Sequence, residues 1–473
     1  MRVVSWMGMI GVLAGCSNDS ETKPADDGAE DTPTFHPDIV PIIGENCQQC
    51  HNSAQPMGGA FPLETYEQVY AYASVLLKKM SPEGDTQDPF FMPPFNARST
   101  DECAPPHSFR GNYQVSAEEY AVFDAWITAG MEEGDPGASA AFTVPPVPAL
   151  SGDVYALSFA GEYQVPAPSM GENDSFRCFA MEREDGSVAP PSSVWIDGFE
   201  FTPGNPDVAH HMLLFSVPNL AEQMANGLVE DPQTQSWPCD GGVSRSDGAY
   251  TVQEFDLMWG WVPGGLPLDL GWDMGMRLEA NTGLVVQMHY NTLANPSDLS
   301  DRSSLGVRLM EQAPEREAFF ELIGVGSAGA SDEVDEPPFL VPLGATEHIE
   351  SYTLSPDAPG VRMWGFIPHM HLAGTALQMR QGGDGGDTCL VNVPRYDYNW
   401  QQMYIYESDW SQLPQLQSGD ALRVQCTYDN SESNVMLEKY LGGPVTEGVR
   451  LGDGTSDEMC LVGVGFACDG LCE

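Results

Sequence analysis

Two textures divide the chain. Between about Phe35 and Asp135, apolar residues recur at three- and four-residue intervals, most clearly in LETYEQVYAYASVLLKKM and SAEEYAVFDAWITAGM. That spacing keeps one face of an α-helix apolar, so both segments predict amphipathic helices. Ser116, three residues before Glu119, has the form of a capping box opening the second helix. Residues 136–151 include PGASAAFTVPPVPAL, whose prolines and small side chains predict a linker. From residue 152 onward the pattern becomes short runs rich in Val, Leu, Phe and Tyr: SSVWIDGFEF, TGLVVQMHYNT, VRMWGFIPHMHL, DALRVQCTY. Clusters of Gly, Pro, Asp and Asn separate them, the pattern of β-sandwiches. About 320 residues exceed one ordinary sandwich, so two are expected, over 152–314 and 315–473. The acidic GSAGASDEVDEPP at 326–338 reads as a surface loop or part of the connection between them. The expected fold class is mixed and multidomain: a small all-α domain over 35–135, then two all-β sandwich domains.

One strand-like run, VAHHMLLF at 208–215, breaks the pattern. Neighbouring side chains on a strand point to opposite faces, so His210 and His211 cannot share a partner on a regular strand. A shared partner predicts an irregular strand there.

The N-terminus changes the picture of where the chain works. MRVVSWMGMIGVLAGCSNDS pairs one Arg with a short apolar stretch, the pattern of an export signal rather than a membrane span. Its end, Leu13-Ala14-Gly15-Cys16, resembles a bacterial lipobox, which implies cleavage before Cys16 and lipidation of that residue. Ser17 after the Cys resembles outer-membrane sorting. Residues 17–34 are acidic and polar and predict a disordered tether. The expected location is therefore that of an exported lipoprotein, at the outer membrane, in the periplasm or on the cell surface, with membrane contact only through the lipid. Eight further cysteines lie outside Cys16 and the CQQCH motif, an even number that suits disulfides. Net charge is −50, with 69 acidic against 19 basic residues, which excludes a nucleic-acid partner needing clustered Lys and Arg. The charge reads as a solvated surface; attraction to a basic redox partner is the narrower alternative.

Cys47-Gln48-Gln49-Cys50-His51 is C-x-x-C-H. Two thiols at this spacing attach the vinyl groups of haem, and the following His ligates iron. With its helical surroundings the segment resembles a small class I cytochrome c. Met92, in FFMPPF, is the preferred sixth ligand; Met57 and Met80 are rivals.

Five of the remaining eight histidines occupy apolar, strand-like text: His210 and His211, His289 in VVQMHYN, and His369 and His371 in PHMHLAG. Residues two apart face the same side of a strand, so His369 and His371 suit one metal. Five buried imidazoles are costly to satisfy without a metal. No HExxH occurs, so a zinc protease of that type is unsupported.

AHHMLLF, VVQMHY, HMHLAG and SDEMC occur in the order and approximate spacing of the copper type II, ascorbate-dependent monooxygenases, and the chain resembles that family over about residues 155–467. The resemblance implies two jelly-roll-like sandwiches, each holding one copper across a solvent-filled cleft. It implies His210, His211 and His289 as ligands of an electron-transfer copper, and His369, His371 and Met459 as ligands of the copper that binds dioxygen. It implies Gln287 near the first site and a Cys426–Cys460 disulfide. A thioether with two imidazoles is a soft set that favours Cu(I), and three protein ligands leave a position open. Cys178–Cys239 is a plausible bridge; the pairing of Cys103, Cys389, Cys468 and Cys472 stays open.

The chain departs from the peptide-amidating members at the residues that clamp a substrate carboxylate, where it has Ile367, Leu461 and Gly463. The expected function is C–H hydroxylation of a small molecule other than peptidylglycine with dioxygen. Two coppers and a covalent haem c are the expected cofactors, with electrons from the haem, ascorbate or a redox protein. The alternatives are a haem/copper electron-transfer protein and a copper-binding lipoprotein.

Overall fold

The computed structural model describes residues 32–472 apart from 54–60, 82–90, 112–113, 140–148, 169–173, 240–241, 264, 293–295, 327–338, 384–385, 438–442 and 453. Cys16, Met57, most of the 17–34 segment and nearly all of the 326–338 stretch lie outside the described residues. Among those described, no helix is long and apolar enough to cross a membrane.

The helical part contains Val40–Asn46, Tyr66–Met80 and Ala117–Thr128. Both longer helices open on capping boxes, Thr65 with Gln68 and Ser116 with Glu119, which satisfy backbone N–H groups that a helix start leaves free. Their apolar stripes meet around Ile43, Val69, Phe123 and Trp126 in a core of their own. The CQQCH motif follows directly on the first helix.

The 35–135 span does not pack as one unit. Its 91–111 arm leaves the helices, and Phe95, Ala97 and Phe109 enter the hydrophobic core of the β-region. Phe109 stacks on Tyr406 at 5.1 Å. The Arg98 N–H donates to Asn392 O at 2.9 Å, and a Cys103–Cys389 disulfide fastens the arm to the C-terminal part. The arm has no helical or strand periodicity, so nothing in its pattern signals that its aromatics are buried elsewhere.

The rest is mostly β-sheet. A five-stranded sheet holds the neighbouring strands Asp174–Ala180, Gly283–Asn291, Ala209–Val217 and Asp256–Trp261, and a four-stranded sheet holds Gly374–Gly383 and Ala421–Tyr428. A nine-stranded sheet backs both. Phe199 and Trp259 stack at 6.0 Å across the first pair of layers, and Cys426–Cys460 bridges the second. The two β-halves share this backing sheet. Arg316 and Glu317 pair in parallel with Met274 and Gly275, which makes the backing sheet continuous between them. The 326–338 segment falls between strands Arg316–Val325 and Leu340–Val341, inside the second half and not at this junction. The remaining disulfides are Cys178–Cys239 and Cys468–Cys472.

Candidate metal centres

The histidine pair sits at an interruption of strand pairing. Along the Ala209–Val217 strand, His211 lies opposite His289 but Ala209 lies opposite Tyr290, so His210 is the extra residue of a β-bulge. The bulge abolishes the alternation that would send the two rings to opposite faces. The Nδ1 atoms of His210 and His211 are 3.1 Å apart, and those of His211 and His289 are 3.4 Å apart. One ligand atom from each of the three lies within 4.8 Å of the others. Burial, reinforced by the neighbouring His289, drives the His210 pKa down to about 3, and burial drives His211 well below its usual value. Neutral imidazoles are the metal-binding form.

Asp174 on the adjoining strand fixes the third ring. The His289 Nε2–H donates to its carboxylate at 2.9 Å, which leaves the Nδ1 lone pair facing the cluster. Burial opposes ionisation of Asp174, but the bonds from His289 and Asn291 hold its pKa below the usual range.

The second cluster forms where Arg362–His369 leaves the backing sheet. His369 Nδ1 bonds Gln401 Oε1 at 2.6 Å, and His371 Nδ1 bonds the Asp457 carbonyl at 3.0 Å. Both acceptors require a protonated Nδ1, so both Nε2 atoms present lone pairs. The rings stand 5.1 Å apart at 88°. Burial, and then repulsion from His369, lowers the His371 pKa to about 3. Met459 is buried beside them and lines the same cavity. Glu458 is fully buried and accepts from the backbone N–H of His371 at 2.9 Å and of Ala373 at 2.6 Å, which ties the H-x-H turn to Met459 and the strand Cys460–Ala467 that follows it. Burial pushes its pKa up to about 8.

Comparison with known proteins bears directly on this second cluster. Residues 348–466, which carry His369, His371 and Met459, match the family model of the copper type II ascorbate-dependent monooxygenase C-terminal domain. The similarity is to the copper type II monooxygenases. "Putative DBH-like monooxygenase protein 2" of Homo sapiens is 25% identical over 275 residues, 54% of this chain and 46% of that protein. "DBH-like monooxygenase protein 1" of Mus musculus is 24% identical over 271 residues, 54% of this chain and 39% of its own. The chain therefore spans less than half the length of the curated relatives it matches.

The two clusters lie close together. His211, His289, His369, His371 and Met459 all line one cavity of about 150 Å³. The family resemblance implied a solvent-filled cleft between the coppers. Here the buried Tyr398 lies between the two histidine clusters, with its ring 5.0 Å from that of His210 and 6.3 Å from that of His371. Ile367, Leu461 and Gly463 line this cavity together with Leu213, Phe215 and Leu322. Gln287, two residues before His289, lines it as well, and its amide donates to Gly242 O at 2.6 Å.

A second cavity, of about 510 Å³, lies between the helices and the β-region. Cys47, Cys50, His51, Met80 and Met92 line it. His51 Nδ1 bonds the Phe61 carbonyl at 2.9 Å, which leaves Nε2 for a ligand. Burial first, then Cys50 and Glu119, pushes the Cys47 thiol up to about 12, and burial raises Cys50. A redox dithiol needs a depressed thiol pKa, which this environment does not provide. The donors and the space both fit a covalent haem.

Asp174, Gln401, Tyr398 and Glu458 escaped the sequence reading. Asp174 stands 36 residues before the first histidine of its cluster, and Tyr398 and Gln401 lie in PRYDYNWQQM, which has no periodicity. Only Glu458 carried a signal, as part of SDEMC.

Proposed function

We propose that the chain is an exported copper monooxygenase that hydroxylates a C–H bond of a small apolar molecule with dioxygen. The carrying observation is the convergence of a three-His cluster and a His-His-Met cluster on one cavity walled by aliphatic and aromatic groups. Bound copper would supply one-electron chemistry at the first cluster and dioxygen chemistry at the second. The protein's own work is to hold the ring nitrogens. Asp174 and the Asp457 carbonyl orient His289 and His371, and Glu458 keeps the turn and the Met459 strand in register. Ile367, Leu461 and Gly463 offer no partner to a carboxylate, which supports an apolar substrate over peptidylglycine.

Gln287 is assigned to the wall of the first copper site. The helical module is a cytochrome c-like unit: Cys47 and Cys50 would bind haem covalently, His51 would be its proximal ligand and Met92 its distal one, with Met80 as rival. A haem held by these residues would supply electrons, with ascorbate or a redox protein as the external donor. Four disulfides suit an oxidising compartment, and Cys16 is the proposed lipid anchor. Oxygen uptake that rises on adding an apolar substrate and is absent in Met459→Ile tests the reading. Uptake indifferent to every substrate would return the chain to electron transfer or copper storage.

A further inference from the structure

One loop touches all three candidate redox sites. Residues 394–403 connect the strand Gly386–Val393 to Tyr404–Ile405. Trp400, Gln401, Gln402 and Met403 line the cavity bounded by Cys47, Cys50 and His51. Gln401 also lines the copper cavity and accepts the His369 Nδ1–H, while its own amide donates to the Tyr398 carbonyl at 3.0 Å. Tyr398 then packs between His371 and His210. None of His210, His211, His289, His369 and His371 lines the larger cavity, but Gln401 lines both cavities and bonds His369.

Both ends of the loop are fastened to the 91–111 arm. Before it, Asn392 Nδ2 donates to Arg98 O at 3.0 Å, three residues after the Cys389 disulfide partner of Cys103. After it, Tyr404 OH accepts the Asn96 N–H at 3.3 Å. The arm, whose Met92 and Phe95 line the larger cavity, is therefore held against this loop.

We propose that the 398–403 loop is the electron conduit of the protein, with Gln401 delivering charge at His369 and Tyr398 linking the two copper clusters. This rests on the reading that the helical module holds haem. The order follows from the contacts: the electron reaches the His369/His371/Met459 copper first and the three-His copper afterwards. Each transfer oxidises haem iron(II) to iron(III) and reduces one copper(II) to copper(I), with no bond made or broken. An external one-electron donor restores the haem. Gln401 and Tyr398 act as positioning residues.

The test is anaerobic rapid reduction of the haem, by one and then a second equivalent of a one-electron donor, in the full chain loaded with copper(II). Haem reoxidation is followed by absorbance, and the two copper(II) signals by electron paramagnetic resonance. In the wild type, reoxidation is first order, independent of protein concentration, and the signal of the Met-containing site fades first. Gln401 is the direct hydrogen-bond partner of a ligand, so Gln401→Leu slows reoxidation roughly 10–100-fold. Tyr398→Leu leaves the first electron unaffected and delays the second, whereas Tyr398→Phe retains both.

Copper content is measured beside each rate. Should Gln401→Leu shed metal, the Cys103→Ser/Cys389→Ser pair reads the same path without touching a ligand's partner, and it also slows reoxidation. Wild-type rates in Gln401→Leu or in the disulfide pair, with copper retained, overturn the conduit. So does prior loss of the three-His signal. Absence of any haem reoxidation in the wild type overturns instead the reading that haem feeds copper.

Discussion

Asp174→Ala isolates what the first cluster owes to a residue that touches no metal. In the wild type the His289 Nε2–H has one acceptor, the Asp174 carboxylate, at 2.9 Å. His289 is only 1% exposed but Asp174 is 23% exposed, so water entering the vacated space replaces the lost carboxylate in part. A buried donor left without an acceptor costs about 1–3 kcal/mol. Part of that cost is recovered if the imidazole changes tautomer and turns its lone pair to Nε2, but Nδ1 then carries the proton and no longer binds metal. Loss of such outer partners typically weakens metal binding about 10–100-fold, roughly 1.4–2.7 kcal/mol, in agreement with the first figure. Titration of copper-free protein with Cu(I) against a competing chelator measures this directly. The expected result is one site weakened by that factor and a second, at His369, His371 and Met459, unchanged. Asp174→Asn keeps a carbonyl acceptor and gives a smaller loss. Wild-type affinity in Asp174→Ala, or equal weakening of both sites, would refute the tautomer argument.

Further outcomes are expected from the same geometry. Met459→Ile retains one copper per chain at the three-His cluster and loses substrate-dependent oxygen uptake; metal analysis showing loss of both coppers contradicts two independent sites. Removal of copper makes stability pH-dependent. His371 titrates at about 3 when folded against 6.5 when unfolded, so the unfolded chain takes up the proton first, and stability present above pH 6.5 declines as pH falls toward 3. Its share is roughly 3–5 kcal/mol, and urea unfolding of copper-free His371→Gln should show a correspondingly shallower acid decline. The Cys103→Ser/Cys389→Ser variant frees a closure of 286 residues and lowers unfolding free energy by roughly 3–5 kcal/mol, read by denaturant titration; an unchanged midpoint contradicts a structural role for the bridge.

The linear sequence carried the elements that rest on periodicity and spacing. Helix Ala117–Thr128 and its Ser116 cap follow from a three-and-four pattern, and the strands bearing His289 and His369 follow from short apolar runs. His210-His211 went further. On a regular strand the pair is incompatible with one partner, and the structure resolves the conflict with a bulge at His210.

What stayed illegible depends on contacts between distant segments. Asp174 reaches His289 across 115 residues, and Cys103 reaches Cys389 across 286. The arm carrying Phe95 and Phe109 looked like the interior of the helical domain because its aromatics are apolar in any context. The parallel pairing that joins the sandwiches involves only Arg316 and Glu317 with Met274 and Gly275, too short a stretch to mark either strand. The 394–403 loop is rich in Tyr, Trp and Gln, but nothing in its composition says that it meets three sites.

Metal analysis of the full chain, isolated from an oxidising compartment and loaded with copper, tests the central claim most directly. The account predicts two copper ions and one covalently bound haem iron per polypeptide. One copper or none, or zinc in place of copper at the histidine clusters, would contradict it.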